Sequence, residues 1–387
     1  MSTQKLFIPG PVTVSEPVLA ATAGAMIDHR GSAFAALLER IANGMKPIFG
    51  TTSDVLVLGS SGTGGLEAAV ANAFSPGQRV LACPVGVFGK RLIAVAKTWG
   101  LIVEVLETPV GHAVDPAALR ARLSQPDGAS FAGIMLTHNE TSTGVQNDMA
   151  ALSAAIGRHD ALVIVDSVSG LGASDFQMDA WGFDVVVTAS QKALAVPPGI
   201  ALVAVSPRAW ERMDAASGPR FYFDLRKARE FAALGQTPWT PPVSIAYALD
   251  AAIAIYHDAG AAHAYERHAR YARAIRAGAE ALGLELLSQP GAHSVTVVAM
   301  KIPTGIEAGA IRKELDRKFG FVIGGGQAEL KGKILRIGTM GALSNDDIVA
   351  VIDALDTVLN DAGHPTERGR AAVAAAREVE SGAIAAR

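Results

Sequence analysis

An α/β fold built on a mostly parallel sheet is the class this sequence predicts, and three observations predict it. Short apolar runs recur from Asp54 to about Ser206. Several are rich in Val and Ile and apolar on both faces, the pattern of strands covered on both sides. Amphipathic helical stretches separate many of them, which is the rhythm of parallel strands joined by helices.

The runs are Val55–Gly59, Arg79–Cys83, Leu101–Glu107, Phe131–Thr137, Ala161–Asp166, Asp184–Thr188 and Ile200–Val205. Between them, Leu66–Phe74 follows a glycine loop and Phe88–Trp99 is amphipathic. Asp115 is placed to cap a helix with Pro116 at its first position, and Asp148 to cap Met149–Arg158. In such a sheet ligands collect beyond the carboxyl ends of the strands.

Gly235 to Val243 reads GQTPWTPPV, a rigid proline-rich loop. A helical stretch then runs from Ser244 toward Leu282, interrupted near Gly260. Strands at Ser294–Lys301 and Ile334–Ile337 and a helix at Glu307–Phe319 suggest a smaller α+β domain. The expected organisation is an N-terminal segment over residues 1–20, a large domain over 21–258, a small domain over 259–362 and a tail, helical or frayed, over 363–387.

The 387 residues suffice for two such domains, and half of them are hydrophobic. A net charge of -3 and the lack of a basic run point away from nucleic acid and anionic membrane. The N-terminal residues lack the pattern of a signal peptide, and Cys83 is the single cysteine, so a reducing cytoplasm is the expected setting. His257, His263 and His268 are spaced six and five apart, off the i, i+4 register of a helical zinc site, so no metal is expected. No Gly-x-Ser-x-Gly elbow marks a hydrolase.

Three features carry chemistry. Ser60-Ser61-Gly62-Thr63-Gly64-Gly65 follows a strand and opens a helix. Small residues there let backbone N–H groups reach a phosphate, although a plain tight turn has the same composition. Asp166 ends a buried strand, where its charge calls for a cationic or hydrogen-bonding partner; capping the next loop is the alternative. Lys192 follows the strand Asp184–Thr188; desolvation there lowers an amine's pKa and frees it to condense with an aldehyde, whereas a surface lysine does neither. A phosphate cradle, a strand-end acid and a lysine after the next strand, in that order, are the three anchors of a pyridoxal phosphate site. The cradle takes the phosphate, Asp166 keeps the ring nitrogen protonated, and Lys192 forms the Schiff base.

Pro9-Gly10-Pro11, Ser61-Gly62-Thr63-Gly64, Thr137-His138-Asn139-Glu140-Thr141-Ser142-Thr143-Gly144, Val165-Asp166-Ser167-Val168, Ser190-Gln191-Lys192-Ala193, Pro197-Pro198-Gly199 and Leu335-Arg336-Ile337-Gly338 carry a resemblance across nearly the whole chain. The sequence resembles the class V pyridoxal-phosphate-dependent aminotransferases of the alanine–glyoxylate and serine–glyoxylate group. The resemblance implies a type I fold with a mostly parallel seven-stranded sheet, and a homodimer with active sites shared between subunits. It implies that Ser61, Gly62, Thr63 and Gln191 bind the phosphate, that Phe88 stacks on the pyridine ring with Val168 on the opposite face, and that Thr141 lies beside the ring oxygen and the substrate. It assigns Thr237 and Thr240 to the neighbouring subunit's phosphate, Arg336 to the substrate carboxylate and Gly10 to the substrate pocket. Many relatives carry Trp or Tyr at the position of Phe88, and Tyr at that of Thr237. Arg336 has a structural ion pair as its alternative, and Gly324-Gly325-Gly326 either approaches the substrate or forms a flexible turn.

The implied reaction is ping-pong transfer of an amino group from alanine or serine to glyoxylate or pyruvate. A lyase or aldolase on the same anchors, or an aminotransferase with another donor, is the alternative. Arg30 and Arg220 are unplaced cations that a dicarboxylic donor would require one of. A non-catalytic binding protein and a nicotinamide-dependent dehydrogenase are more distant readings; the latter lacks its glycine fingerprint. Cys83 precedes Asp166, too early for the reactive cysteine of a desulfurase.

Overall fold

The computed structural model describes residues 4–384. Seven strands form the large sheet in the order Asp54–Leu58, Ala201–Val205, Val185–Ala189, Leu162–Asp166, Phe131–Thr137, Arg79–Cys83 and Ile102–Val105. Ala201–Val205 runs antiparallel to both neighbours, and the other six are parallel. The two central strands Leu162–Asp166 and Val185–Ala189 are buried at every position, which is why they read as unbroken apolar runs.

Helix Gly62–Ala73 packs over this sheet and starts four residues earlier than Leu66, because its glycines are helical. A Cβ on Gly65 would stand 2.7 Å from Val187 Cγ1, so the close approach of helix to strand requires glycine. The stretch 244–282 is two helices, Val243–Ala259 and Ala261–Ala281, broken at Gly260 with φ +84°.

The smaller sheet has the order Lys5–Phe7, Phe321–Gly325, Ile334–Gly338 and Val297–Lys301. Its first strand comes from the N-terminus, pairs parallel with Phe321–Gly325, and buries Phe7 in the core of the small domain. That core also takes Met300, Ile323, Leu335 and Ile337 from the other strands and residues of helices Ala261–Ala281, Ala308–Phe319 and Asn345–Asp361, the last opened by a Ser344–Asp347 capping box. Gly324 and Gly325 are strand residues paired with Arg336 and Leu335, not a flexible turn.

The expected tail is also part of this core. Helix Arg370–Ile384 packs on Ala261–Ala281 and buries Ala371, Ala375 and Val379. Its alternation of Ala with charged residues supplies one thin apolar stripe, enough to dock a helix but too weak to stand out from sequence. Residues 1–3 and 385–387, the outermost parts of the expected terminal segments, lie outside the described residues.

Candidate active site

The carboxyl ends of the central strands deliver the site. Asp166 ends its strand buried, with Oδ1 accepting from Val168 N at 3.0 Å and Oδ2 without a partner among the described residues. Burial pushes its carboxyl up to about 6, against the Val168 hydrogen bond that lowers it. The strand partner of Asp166 is Thr137, and the next residue, His138, is buried with Nδ1 2.8 Å from Ser167 Oγ and Nε2 3.3 Å from Ser174 Oγ. Burial pulls His138 down to about 4, so it is neutral and serves to brace the Asp166–Val168 turn.

Lys192 leaves the sheet three residues after Ala189. Its loop is pinned by Ser190 Oγ donating to Pro197 O at 2.8 Å and by Val196 N donating to Ser190 O at 3.0 Å, and it carries Ala195 at φ +52°. Lys192 Nζ donates to Pro9 O at 2.5 Å. Burial lowers its pKa to about 8; Asp166 opposes that shift, while Arg336 and Arg91 add to it. Gly10 has φ +114°, and a Cβ there would fall 2.7 Å from Lys192 Nζ. Glycine is therefore required for the N-terminal segment to pass the lysine.

Ser61 caps the helix Gly62–Ala73 by backbone conformation, with no side-chain cap bond, leaving the first-turn N–H groups open to an anion. A Cβ on Gly62 would meet Val168 Cγ2 at 2.8 Å, so the glycine loop and Val168 are in direct packing. Gln191 lies beside Lys192 with Oε1 buried and unpartnered. The atom of this amide that can donate to a phosphate is Nε2, which makes no hydrogen bond among the described residues.

Phe88 sits in the first turn of helix Val87–Thr98, and Glu140 fixes it. Glu140 is wholly buried; Oε2 accepts from Phe88 N at 3.0 Å and Gly89 N at 3.1 Å, and Oε1 from Ser142 N at 3.0 Å and Ser142 Oγ at 2.7 Å. Desolvation raises this carboxyl above its ordinary range in spite of those four bonds. Thr141, next in the chain, accepts from Arg336 Nη1 at 2.7 Å through its carbonyl.

Arg336 is buried on the small sheet, and its Nε donates to Gly325 O at 2.8 Å. It forms no salt bridge among the described residues, so the structural ion pair is not what holds it. Burial lowers its pKa, with Glu140 opposing. Two carbonyls orient the fork and leave Nη2 free for a carboxylate.

Thr237 and Thr240 do not join this group. Thr237 Oγ1 donates to Trp239 O at 2.8 Å, and Thr240 is exposed. Arg30 holds their loop through Gln236 Oε1, Thr237 O and Pro238 O, and Arg220 bonds Ala71 O and Ala216 O. Arg220 Nε is buried without a partner, and neither arginine forms an ion pair among the described residues. Cys83 is buried, its thiol pushed up to about 12. Sequence reasoning assigned no role to Glu140 or Arg91. Glu140 stands inside a motif where only Thr141 drew attention; Arg91 lies one helical turn beyond Phe88, a spacing that signals a shared face.

The profile of the family described as Aminotransferase class-V matches residues 18–343. The chain is 39% identical to the soluble hydrogenase 42 kDa subunit of Anabaena cylindrica, over 97% of this chain and 98% of that one. It is 37% identical to the L-aspartate–glyoxylate aminotransferase of Paracoccus denitrificans, over 97% and 96%. The crystal structure of a ureidoglycine–glyoxylate aminotransferase from Bacillus subtilis superposes with a TM-score of 0.92 at 28% identity, covering 98% of this chain and 99% of that one.

Proposed function

The chain belongs to the class-V aminotransferase family, and we propose that it moves the amino group of a small amino acid, alanine or serine, to glyoxylate or pyruvate. It is a pyridoxal-phosphate-dependent transaminase. The cofactor, when bound, supplies an electron sink and carries the amino group between the half-reactions. The chain's residues fit that cofactor: an open helix N-terminus and the donor N–H2 of Gln191 for phosphate, Phe88 and Val168 for the two ring faces, and the partner-free Oδ2 of Asp166 for the ring nitrogen.

Lys192 does the proton work. With a pKa near 8 instead of 10.5, about 300-fold more of it is neutral at pH 7. A neutral amine both attacks a carbonyl carbon and takes a proton from the donor's Cα. Arg336 orients the donor by its carboxylate, and Asp166 holds the opposing charge at the ring.

The observation that carries the donor class is that Arg336, oriented by two carbonyls and with no ion pair among the described residues, keeps Nη2 for one carboxylate. A second reading, an aspartate donor, is favoured by the Paracoccus relative and by the unpaired Arg91 near the site. Half-reactions of the loaded enzyme with alanine, serine and aspartate separate the two: the preferred donor has the highest kcat/KM by at least an order of magnitude.

A homodimer with shared sites is part of the proposal. It is supported by Thr237 and Thr240 lining one cavity with Trp239, which packs on the exposed rings of Phe221 and Tyr222. Mixing an inactive Lys192→Ala chain with an inactive chain altered at Thr240 tests it: regained activity supports sharing, and its absence opposes it. The proposed setting is a reducing cytoplasm, supported by a lone buried cysteine.

A further inference from the structure

Arg91 pairs with no carboxylate among the described residues. It projects from helix Val87–Thr98 with its guanidinium 4.7 Å from the centroid of the Phe88 ring, and Nη1 stands 3.3 Å from Thr63 Oγ1. Thr63 is the second residue of the cradle helix, whose N-cap makes no side-chain bond. The other protein groups assigned to the cradle, Ser61, Gly62, Thr63 and Gln191, are all neutral. A phosphate dianion held only by neutral donors gains from a fixed cation, and a guanidinium fork matches its geometry. Contact with the Phe88 ring pre-orients that fork and lowers the entropic cost of using it.

We propose that Arg91 is a ligand of the cofactor's phosphate, bridging the Ser61–Thr63 cradle and the Phe88 ring that covers the pyridine. The inference rests on pyridoxal phosphate being the cofactor. Its charge also reaches the reacting centre: burial dominates the shifts of Lys192 and Asp166, and Arg91 contributes to both. The alternative anion is the distal carboxylate of a dicarboxylic donor. Direct contact with Thr63, the cradle residue, favours phosphate.

The test compares pyridoxal phosphate with pyridoxal, which lacks the phosphate, in absorbance titrations of the apoenzyme. Wild type, Arg91→Met and Arg91→Lys are measured side by side. Methionine keeps an unbranched stem over Phe88, and Arg91 is exposed, so the fold is retained. Arg91→Met is expected to weaken pyridoxal phosphate on the order of tenfold, the worth of one exposed charge-assisted hydrogen bond, and to leave pyridoxal unchanged. Arg91→Lys recovers part of the loss. If Arg91→Met keeps the wild-type preference for the phosphorylated form, the inference is overturned. It is equally overturned if that preference stays and only the KM for aspartate rises, which assigns Arg91 to the substrate. Wild-type apoenzyme that binds neither compound overturns the cofactor reading itself.

Discussion

Lys192 Nζ donates to the carbonyl oxygen of Pro9, so the reactive amine is held by a segment that belongs to the other sheet of the molecule. Pro9 follows the strand Lys5–Phe7 of the small domain, and Lys192 follows the strand Val185–Ala189 of the large one. The contact leaves the lysine half-buried and without an anionic partner bonded to it, which is the condition for a depressed pKa.

That burial has a stability signature. The folded pKa of about 8 lies below the unfolded value of 10.5, so the unfolded chain binds more protons between those limits. The contribution of Lys192 to apoenzyme stability should therefore rise as pH climbs from about 8 to 10.5. Lys192→Met should stabilise the apoenzyme at pH 7 by about 1–3 kcal/mol, with the gain fading across that window. Urea unfolding of both proteins at pH 7 and pH 10 measures it; an equal difference at both pH values rejects the assignment.

Asp166→Asn keeps the size of the side chain and the Val168 contact but removes the charge that holds a protonated ring nitrogen. The expected result is a loss of kcat of about a hundredfold or more, with cofactor still bound. Single-turnover rates with a saturating donor read this out. A variant within threefold of wild type removes Asp166 from the chemistry.

Arg336→Lys retains a cation but loses the fork that two carbonyls, Gly325 O and Thr141 O, hold in place. Donor kcat/KM should fall about 10²-fold while affinity for the cofactor is unchanged. Parallel steady-state kinetics and cofactor titration check both halves. Weakened cofactor binding with intact donor kinetics contradicts the role given to Arg336.

Glu140→Ala strips both buried acceptor oxygens from the Phe88 and Gly89 N–H groups and from the Ser142 N–H and hydroxyl. It should cost about 1–3 kcal/mol of stability and disturb the aromatic cover of the ring. Glu140→Gln keeps one acceptor oxygen but sets its amide N–H2 against the other pair of donors, so it should recover only part of the stability. The induced circular dichroism of the bound cofactor should change in the alanine variant and return toward wild type in the glutamine one. Unchanged dichroism in both separates Glu140 from ring positioning.

Much of this architecture is legible in the sequence because burial on both faces writes long Val/Ile runs, as at Leu162–Asp166 and Val185–Ala189. Lys192, Asp166 and the cradle stand out because each follows such a run. Other parts are written in long-range contacts. Three residues, Lys5–Phe7, are too few to signal a strand that pairs with Phe321–Gly325 more than 300 positions away. Glu140 is invisible as a cap because the N–H groups it satisfies are those of Phe88 and Gly89. The helix Arg370–Ile384 finds its place only against Ala261–Ala281. The proposed roles of Thr237 and Thr240 depend on a second subunit, so a single chain leaves Thr237 bonded within its own loop, to Trp239 O.

The most direct measurement is an absorbance spectrum of the purified protein with pyridoxal phosphate, followed through addition of alanine or serine and then glyoxylate. The account predicts a yellow protein whose colour depends on Lys192, is bleached by the donor, returns with glyoxylate, and is absent in Lys192→Ala. A wild-type protein that stays colourless with cofactor supplied, or a Lys192→Ala variant with the same spectrum and turnover as wild type, contradicts it.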